Sequence, residues 1–140
     1  MNIENEKCVM IINEKLPSGI IANTAAILGI TIGKKIPELI GSEVIDSNGN
    51  IHNGIIKIPI PVLRGNSEIL RNIRQKLFES EFSALITVDF TDLAQSCKTY
   101  DEFTEKTANC EEKLLNYIGI AICGDKRKIN KLTGNLPLLK

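Results

Sequence analysis

The chain has 140 residues, a length that suits one domain with a hydrophobic core of its own. Apolar residues make up 43% and charged residues 24%, and seventeen basic side chains balance seventeen acidic ones, which argues against a net electrostatic grip on nucleic acid or an anionic membrane. Aromatic residues are 4% with no Trp, which weakens base-stacking readings.

Lys7 to Asn13 is a short apolar run with β-branched residues and reads as a buried strand. Leu16-Pro17-Ser18-Gly19 is a turn in which Ser18 can cap the next helix. From Ile20 to about Ile32 the residues are apolar on nearly all faces, the pattern of a helix covered on more than one side. Gly33 to Gly41, with Lys34, Lys35 and Pro37, is expected to be irregular. Glu43 to Ile58 reads as paired extended segments around Asp46 to Asn50, where Asn48-Gly49 signals a tight turn. Ile55 to Ile60 continues as a strand, and Pro59 and Pro61 remove ladder donors from one side of its end.

Asn66 to Ser80 is an amphipathic helix. Ile69, Leu70, Ile73, Leu77 and Phe78 share a face, Asn66 or Ser67 caps it, and Glu68 suits its first turn. Ala84 to Val88 is a strand closed by Asp89, followed by a short helix from Asp92 to Cys97. Thr99 to Glu102 matches a capping box. Behind it Tyr100, Phe103, Thr107, Cys110 and Leu114 fall on one helical stripe. Tyr117 to Cys123 is another apolar strand. Gly124-Asp125 then turns into a last helix, Lys126 to Leu132, with Gly134 at its C-cap. Strands alternating with helices predict a three-layer α/β/α sandwich. Its mixed sheet has about four main strands and an added hairpin, with helices on both faces.

Met1 to Lys7 is polar and acidic, and Cys8 to Ile12 is too short for the apolar core of a signal peptide, so a cytoplasmic protein is expected. Leu16 to Gly33 is free of charge but carries Pro17, Ser18, Asn23, two threonines and three glycines, and reads as a buried helix instead of a membrane span. Cys8, Cys97, Cys110 and Cys123 form no C-x-x-C pair, and His52 is the only histidine, so neither a metal site nor a cofactor is expected. Reduced thiols are the expectation for all four.

Several motif-like strings fail on chemistry. Gly29 to Lys35 has the wrong glycine spacing for a phosphate loop and follows a helix instead of a strand. Asp46, Asn48 and Asn50 imitate calcium-loop ligands, but Ile51 stands where the loop needs glycine and Lys57 where it needs glutamate. Gly65-Asn66-Ser67-Glu68-Ile69 lacks the second glycine of a nucleophile elbow. Cys123 precedes a helix N-terminus, whose dipole favours thiolate, yet a strand-end cysteine is also a plain structural residue. Asp89 offers a carboxylate at a strand end, where α/β domains present functional groups, and equally suits a helix cap. Lys126, Arg127, Lys128 and Lys131 make a local basic patch.

The stretch Ile118-Gly119-Ile120-Ala121-Ile122-Cys123-Gly124-Asp125, followed by Ile129 to Leu138, resembles the end of peptidyl-tRNA hydrolase II proteins. Those close with a strand, a glycine turn, a short helix and a Thr-Gly-x-Leu-x-Leu segment. Here that segment is Thr133-Gly134-Asn135-Leu136-Pro137-Leu138. The opening strand, Leu16 and Gly19 before a helix containing Ala25-Ala26, and the later elements follow the family's order. The whole sequence is more similar still to an uncharacterised bacterial family, a numbered domain of unknown function, that shares this fold. The resemblance implies a peptidyl-tRNA hydrolase II-like fold and matches the family's aspartate to Asp89, with Thr91 near it as a second catalytic candidate. The family's lysine position is Ile20, and its glutamine position falls at Ala26 or Ile27. Oxyanion donors would then be backbone N–H groups near Gly19 to Ile21, or Lys15.

Three functions follow as expectations. The first is a pocket near the start of the first helix and Asp89 that binds a small-molecule or nucleotide-like ligand. Asn23, His52, Asp89 and Thr91 would line it, with backbone from Gly19 and Gly124. The second is a hydrolase of peptidyl-tRNA or a related ester or amide, with Asp89 handling the water. The third is a non-catalytic homodimeric interaction module. The Lys126 to Lys131 helix would favour RNA or phosphate, and a dry cleft near Pro59 and Pro61 a small apolar ligand; no membrane partner is expected.

Overall fold

The structure is a computed structural model and describes residues 3–140. Of the polar opening segment, Met1 and Asn2 lie outside the described residues.

Six strands and five α-helices follow one another among the described residues. They are β1 (Glu6–Asn13), α1 (Ser18–Lys35), β2 (Val44–Ile45), β3 (Ile51–His52), β4 (Val62–Gly65), α2 (Ser67–Leu77), β5 (Ile86–Thr91), α3 (Asp92–Ser96), α4 (Tyr100–Ala108), β6 (Tyr117–Asp125) and α5 (Lys126–Thr133). The main sheet runs β4-β1-β6-β5, and β2 and β3 form a separate hairpin. β4 lies parallel to β1, with Met10 opposite Val62, whereas β6 runs antiparallel to both β1 and β5. This is the mixed α/β sheet that the sequence pattern implied.

Side-chain alternation along the central strands divides the core in two. Val9, Ile11, Ile120 and Ile122 point to one face, where Leu70, Ile73 and Leu77 of α2 and Ile129 and Leu132 of α5 cover them. Cys8, Met10, Ile12, Ala121 and Cys123 point to the other face, under Leu28 and Ile32 of α1. Helices therefore pack on both faces.

α1 is an outer layer and not an enclosed helix. Only Thr24, Leu28 and Ile32, four residues apart, are buried along one stripe, and Ile30 stays 76% exposed. Ser18 does not cap it; Pro17 holds the cap position, and Ser18 is the first helical residue. The helix also continues through Lys35 into a 3-10 turn at Pro37–Leu39, where irregular chain was expected.

The expected strand over Ile55 to Ile60 is absent. Its burial does alternate, and Ile56, Ile58 and Ile60 pack against the α1-side core. Pro59 and Pro61 have no N–H to give a ladder, so the strand begins only at Val62, after Met10 donates to the Pro61 carbonyl at 3.0 Å. The hairpin is likewise shorter than the span Glu43 to Ile58, with two residues in each strand.

α2 begins as read: the Asn66 side chain accepts from the Ile69 N–H at 2.8 Å. Thr99 caps α4 through the Glu102 N–H. The reciprocal arm of that capping box is displaced by one residue, because the Glu102 carboxylate accepts from the Lys98 N–H. α4 stops at Ala108, so Cys110 and Leu114 fall outside the expected stripe, and Tyr100 and Leu114 face solvent.

Candidate functional site

β5 is an edge strand, and its alternation decides what each side chain can do. Ile86, Val88 and Phe90 turn toward α1 and pack on its core. Asp89 lies between Val88 and Phe90 and turns toward α2. It does not close the strand, since β5 continues through Phe90 to Thr91. The Nε of Arg74 donates to Asp89 Oδ2 at 2.8 Å, in a pair whose side chains are only 15% and 30% exposed. The Arg74 guanidinium also stacks 3.9 Å over the Phe78 ring; Phe78 is the C-cap of α2 and is exposed, instead of lying on the apolar face that the periodicity predicts.

A second carboxylate gathers beside this pair. Glu112, in the turn before β6, accepts from the Tyr117 hydroxyl, from Gln75 Nε2 at 2.7 Å and from Arg71 Nη1 at 3.5 Å. Arg71 further donates to the carbonyls of Glu112 and Leu115 and lies 5.4 Å from the Tyr117 ring. The Tyr117 hydroxyl does most to hold the Glu112 carboxyl below its ordinary range, with help from Gln75 and Arg71. Burial, then the Glu112 bond and charge, pushes the Tyr117 phenol up. The sequence signal for this cluster was the spacing of Arg71, Arg74 and Gln75, at i, i+3 and i+4 on one helix face. Nothing local marked Glu112.

A cleft of about 450 Å³ opens at the outer edge of β5. Val88, Asp89 and Phe90 form its floor, Ile27 and Thr31 of α1 one wall, and the α3–α4 segment from Ala94 to Phe103 the other. Among the described residues no backbone group outside β6 bonds to Ile86 through Phe90, so the outer N–H and C=O groups of the strand face the cleft open. Tyr100 and Phe103 meet edge-to-face with centroids 5.5 Å apart. Lys98 also lines the cleft, and its ammonium has no ion-pair partner among the described residues.

The other expected site residues are dispersed. Thr91 is buried and bonded to the Ala94 N–H at 3.1 Å, as the cap of α3. Asn23 and Gly19 are exposed near the start of α1, whereas it is Ile27 and Thr31, further along the helix, that border the cleft at Asp89. A separate cleft of about 390 Å³ at the helix start is lined by Glu14, Ser18, Arg64 and Leu139. His52 is in the hairpin, with Nε2 2.8 Å from Asp46 Oδ2, a pair that holds the Asp46 carboxyl below its ordinary range. Gly124 has φ +148°, and a Cβ there would stand 2.7 Å from the Leu85 side chain. The glycine is thus accounted for by its backbone conformation near the end of β6 and by the close approach of Leu85.

Cys123 is buried directly across the ladder from Cys8. The neighbouring Cys123 and burial push the Cys8 thiol up, and both side chains are fully enclosed, the environment of structural cysteines. A cleft of about 520 Å³ does form at Ile58, Pro59 and Pro61, with Lys7 and Lys126 on its rim. Lys131 of the basic helix is paired with Glu81. No cluster of three or more metal-ligating side chains occurs among the described residues, and no helix of theirs is long and apolar enough to cross a membrane.

The family model described as a protein of unknown function, DUF2000, matches residues 6–140. The chain belongs to the DUF2000 family. A solved structure of a protein of unknown function from Agrobacterium tumefaciens strain C58 is similar in fold, with a TM-score of 0.86 at 22% identity. The match covers 96% of this DUF2000 chain and 97% of that one. No curated protein matches the sequence.

Proposed function

We propose that this DUF2000 domain binds a small, ring-bearing anion of nucleotide-like chemistry in the cleft between α1, β5 and the α3–α4 segment. The observation that carries the reading is what converges beside Asp89: an aromatic pair, an unpaired ammonium and an open strand edge around one concave space. Tyr100 and Phe103 offer faces and edges for a planar ring. Lys98 supplies the charge for an anionic group, and the outer backbone of β5 supplies donors and acceptors that fix orientation. A peptidyl-tRNA hydrolase II-like fold belongs to the same proposal. It is supported by the order of β6, the Gly124 turn, α5 and the Thr133 to Leu138 tail.

Titration with AMP, followed by ligand-observed NMR, tests it. AMP is expected to bind saturably, and Tyr100→Ala and Lys98→Met are each expected to weaken it roughly tenfold, the scale of one stacking or charge contact. Absence of saturable binding, or affinity indifferent to both variants, refutes it.

One observation favours hydrolysis as a second reading: Asp89 borders that cleft at the strand edge, with its carboxylate held by Arg74 on the α2 side of β5. A water held by Asp89 could attack an ester whose oxyanion meets outward N–H groups of β5. Release of an N-blocked amino acid from its tRNA ester should then vanish in Asp89→Asn. Equal rates for the two proteins refute the second reading.

A further inference from the structure

We propose that the α3–α4 segment is a hinged lid whose opening admits the ligand to the cleft; the inference rests on the ligand site proposed above and concerns how that site is reached. The chain leaves the sheet at Thr91 and returns at Tyr117, and these two residues stand opposite each other in the β5–β6 ladder. Directly beyond them the Asp92 N–H donates to the Asn116 carbonyl at 3.0 Å. The excursion over residues 92–116 therefore starts and ends at one closed neck. It can move without breaking the pairing of β5 with β6.

The return of the excursion is fixed and its middle is not. Near the neck Glu112 is held by Gln75, Arg71 and Tyr117, and Arg71 also holds the Leu115 carbonyl. From Leu93 to Glu111, by contrast, every hydrogen bond and ion pair among the described residues stays within the excursion, apart from the Ala94 N–H on the Thr91 hydroxyl at the neck. Over the same stretch Ala94 is the one apolar side chain that packs on the core of the sheet. α1, α2 and α5 each bury three residues, whereas α3 and α4 bury none. A segment with so few buried apolar contacts opens far more readily than the domain unfolds. Inside, it is firm: Thr91 and Thr99 cap its helices, and Glu102 binds both the Lys98 N–H and, at 2.8 Å, the Lys106 ammonium. Such a segment swings as a unit, with its hinges at the helix ends.

One side chain opposes closure. Thr107 lies one turn beyond Phe103 on the same face of α4, and its hydroxyl is buried without a hydrogen-bond partner among the described residues. A buried hydroxyl left unpaired forfeits the bonds it makes to water, so it disfavours the closed arrangement, and opening returns it to solvent. A ligand acts in the other direction. Lys98, Tyr100 and Phe103 belong to the lid, and Ile27, Thr31 and Val88 to the fixed side of the same cleft. An occupant that touches both sides binds the closed state better and shifts the population toward it. The free chain therefore opens, and the occupied one stays shut.

Fluorine NMR on the full chain labelled with para-fluorophenylalanine tests the lid. The chain has four phenylalanines. Phe103 is on the lid, Phe90 on the cleft floor, and Phe82 in the core under α2 serves as the fixed reference. Relaxation dispersion on the microsecond-to-millisecond scale is expected at Phe103 in the free chain and not at Phe82. Thr107→Val keeps the shape and removes the hydroxyl, and is expected to lower the open population about tenfold, the scale of one unpaired buried hydroxyl. Saturating AMP is expected to suppress the dispersion. Flat dispersion at Phe103 in the free chain, equal dispersion at Phe82, or an open population indifferent to Thr107→Val overturns the lid. AMP that binds and leaves the dispersion unchanged overturns it as well. If AMP does not bind while the Phe103 dispersion and its response to Thr107→Val persist, the ligand reading falls and the lid stands.

Discussion

At Gly119 of β6 the side chains of α1 press directly on the strand, and replacing it with Ala tests how tightly that layer is set. A Cβ there would stand 2.6 Å from Thr24 Cγ2, 3.4 Å from Leu28 Cδ1 and 3.5 Å from the Ile11 carbonyl oxygen. Thr24 cannot simply turn its methyl away, because its hydroxyl donates to the Ile20 carbonyl at 2.7 Å and the side chain is fully buried. Either α1 shifts outward or that hydrogen bond is given up. Overpacking of this kind costs about 1–3 kcal/mol, offset by up to about 1 kcal/mol for replacing glycine in a strand. A net loss of about 2 kcal/mol corresponds to a fall in Tm of roughly 8 °C for a domain of this size. Thr24→Ser removes Cγ2 and keeps the hydroxyl, at a cost of about 1 kcal/mol for the lost buried methyl. In that background Gly119→Ala should cost less than about 1 kcal/mol, a coupling of at least roughly 1 kcal/mol between the two sites. Urea unfolding followed by circular dichroism, at one protein concentration for all four proteins, measures the cycle. Additive effects, or a neutral Gly119→Ala, would show that the close approach of Thr24 to β6 is not what this position is selected for.

Two further outcomes follow from named contacts. Asn66→Ala should lower stability by about 1 kcal/mol through loss of the α2 cap, and Asn66→Asp should restore most of it, as read from urea midpoints. Because the folded Glu112 carboxyl is held below its ordinary range, its contribution is complete above the unfolded value and is lost as pH falls through the folded one. The stability gap between wild type and Glu112→Gln should therefore close as pH is lowered below the ordinary carboxylate range, and a gap unchanged from neutral to strongly acid pH would rule out the ionised Tyr117–Glu112 bond as its source.

The elements legible in the sequence are those whose signals are local. β1 and β6 are uninterrupted apolar runs because both faces of the central strands are covered, and α2 carries its cap and its apolar stripe within one segment. The Ile55 to Ile60 misreading shows where that logic stops. The alternation there is real, but it reflects packing onto the α1-side core, and only the missing N–H groups of Pro59 and Pro61 separate such a segment from a strand. The site was half legible for the same reason. Asp89 stands out as an acid inside an apolar strand, and Arg71, Arg74 and Gln75 share a helix face by spacing alone. Glu112 is 37 residues from Gln75 and 41 from Arg71, and only the antiparallel placement of β5 and β6 beside α2 brings it in. His52 was drawn toward Asp89 by being the single histidine, whereas a neighbouring acid in its own turn claims it.

The two edges of the sheet explain why the candidate site lies where it does. The tail that carries the most specific resemblance closes the β4 edge: Arg64 N–H donates to the Pro137 carbonyl at 2.9 Å, Leu139 N–H to the Val62 carbonyl at 2.8 Å, and Leu63 bridges Leu138. Thr133 and Gly134 prepare that return. The buried Thr133 hydroxyl donates to the Ile129 carbonyl, and a Cβ on Gly134 would stand 2.6 Å from the Asn130 oxygen. The residues that identify the tail are thus engaged in finishing the sheet, so a resemblance resting on them speaks to fold before it speaks to chemistry. The β5 edge has no such cover. There the chain leaves the strand through α3 and α4, whose rings stand across a gap from Val88 to Phe90 instead of pairing with it. An uncovered edge invites aggregation unless something occupies or guards it. The α3–α4 segment guards this one while leaving a cleft of ligand size, and Asp89 lies on its floor. The ligand site proposed for this chain therefore lies at the β5 edge, away from the start of α1, and substitutions in the Thr133 to Leu138 tail should alter stability before they alter any ligand.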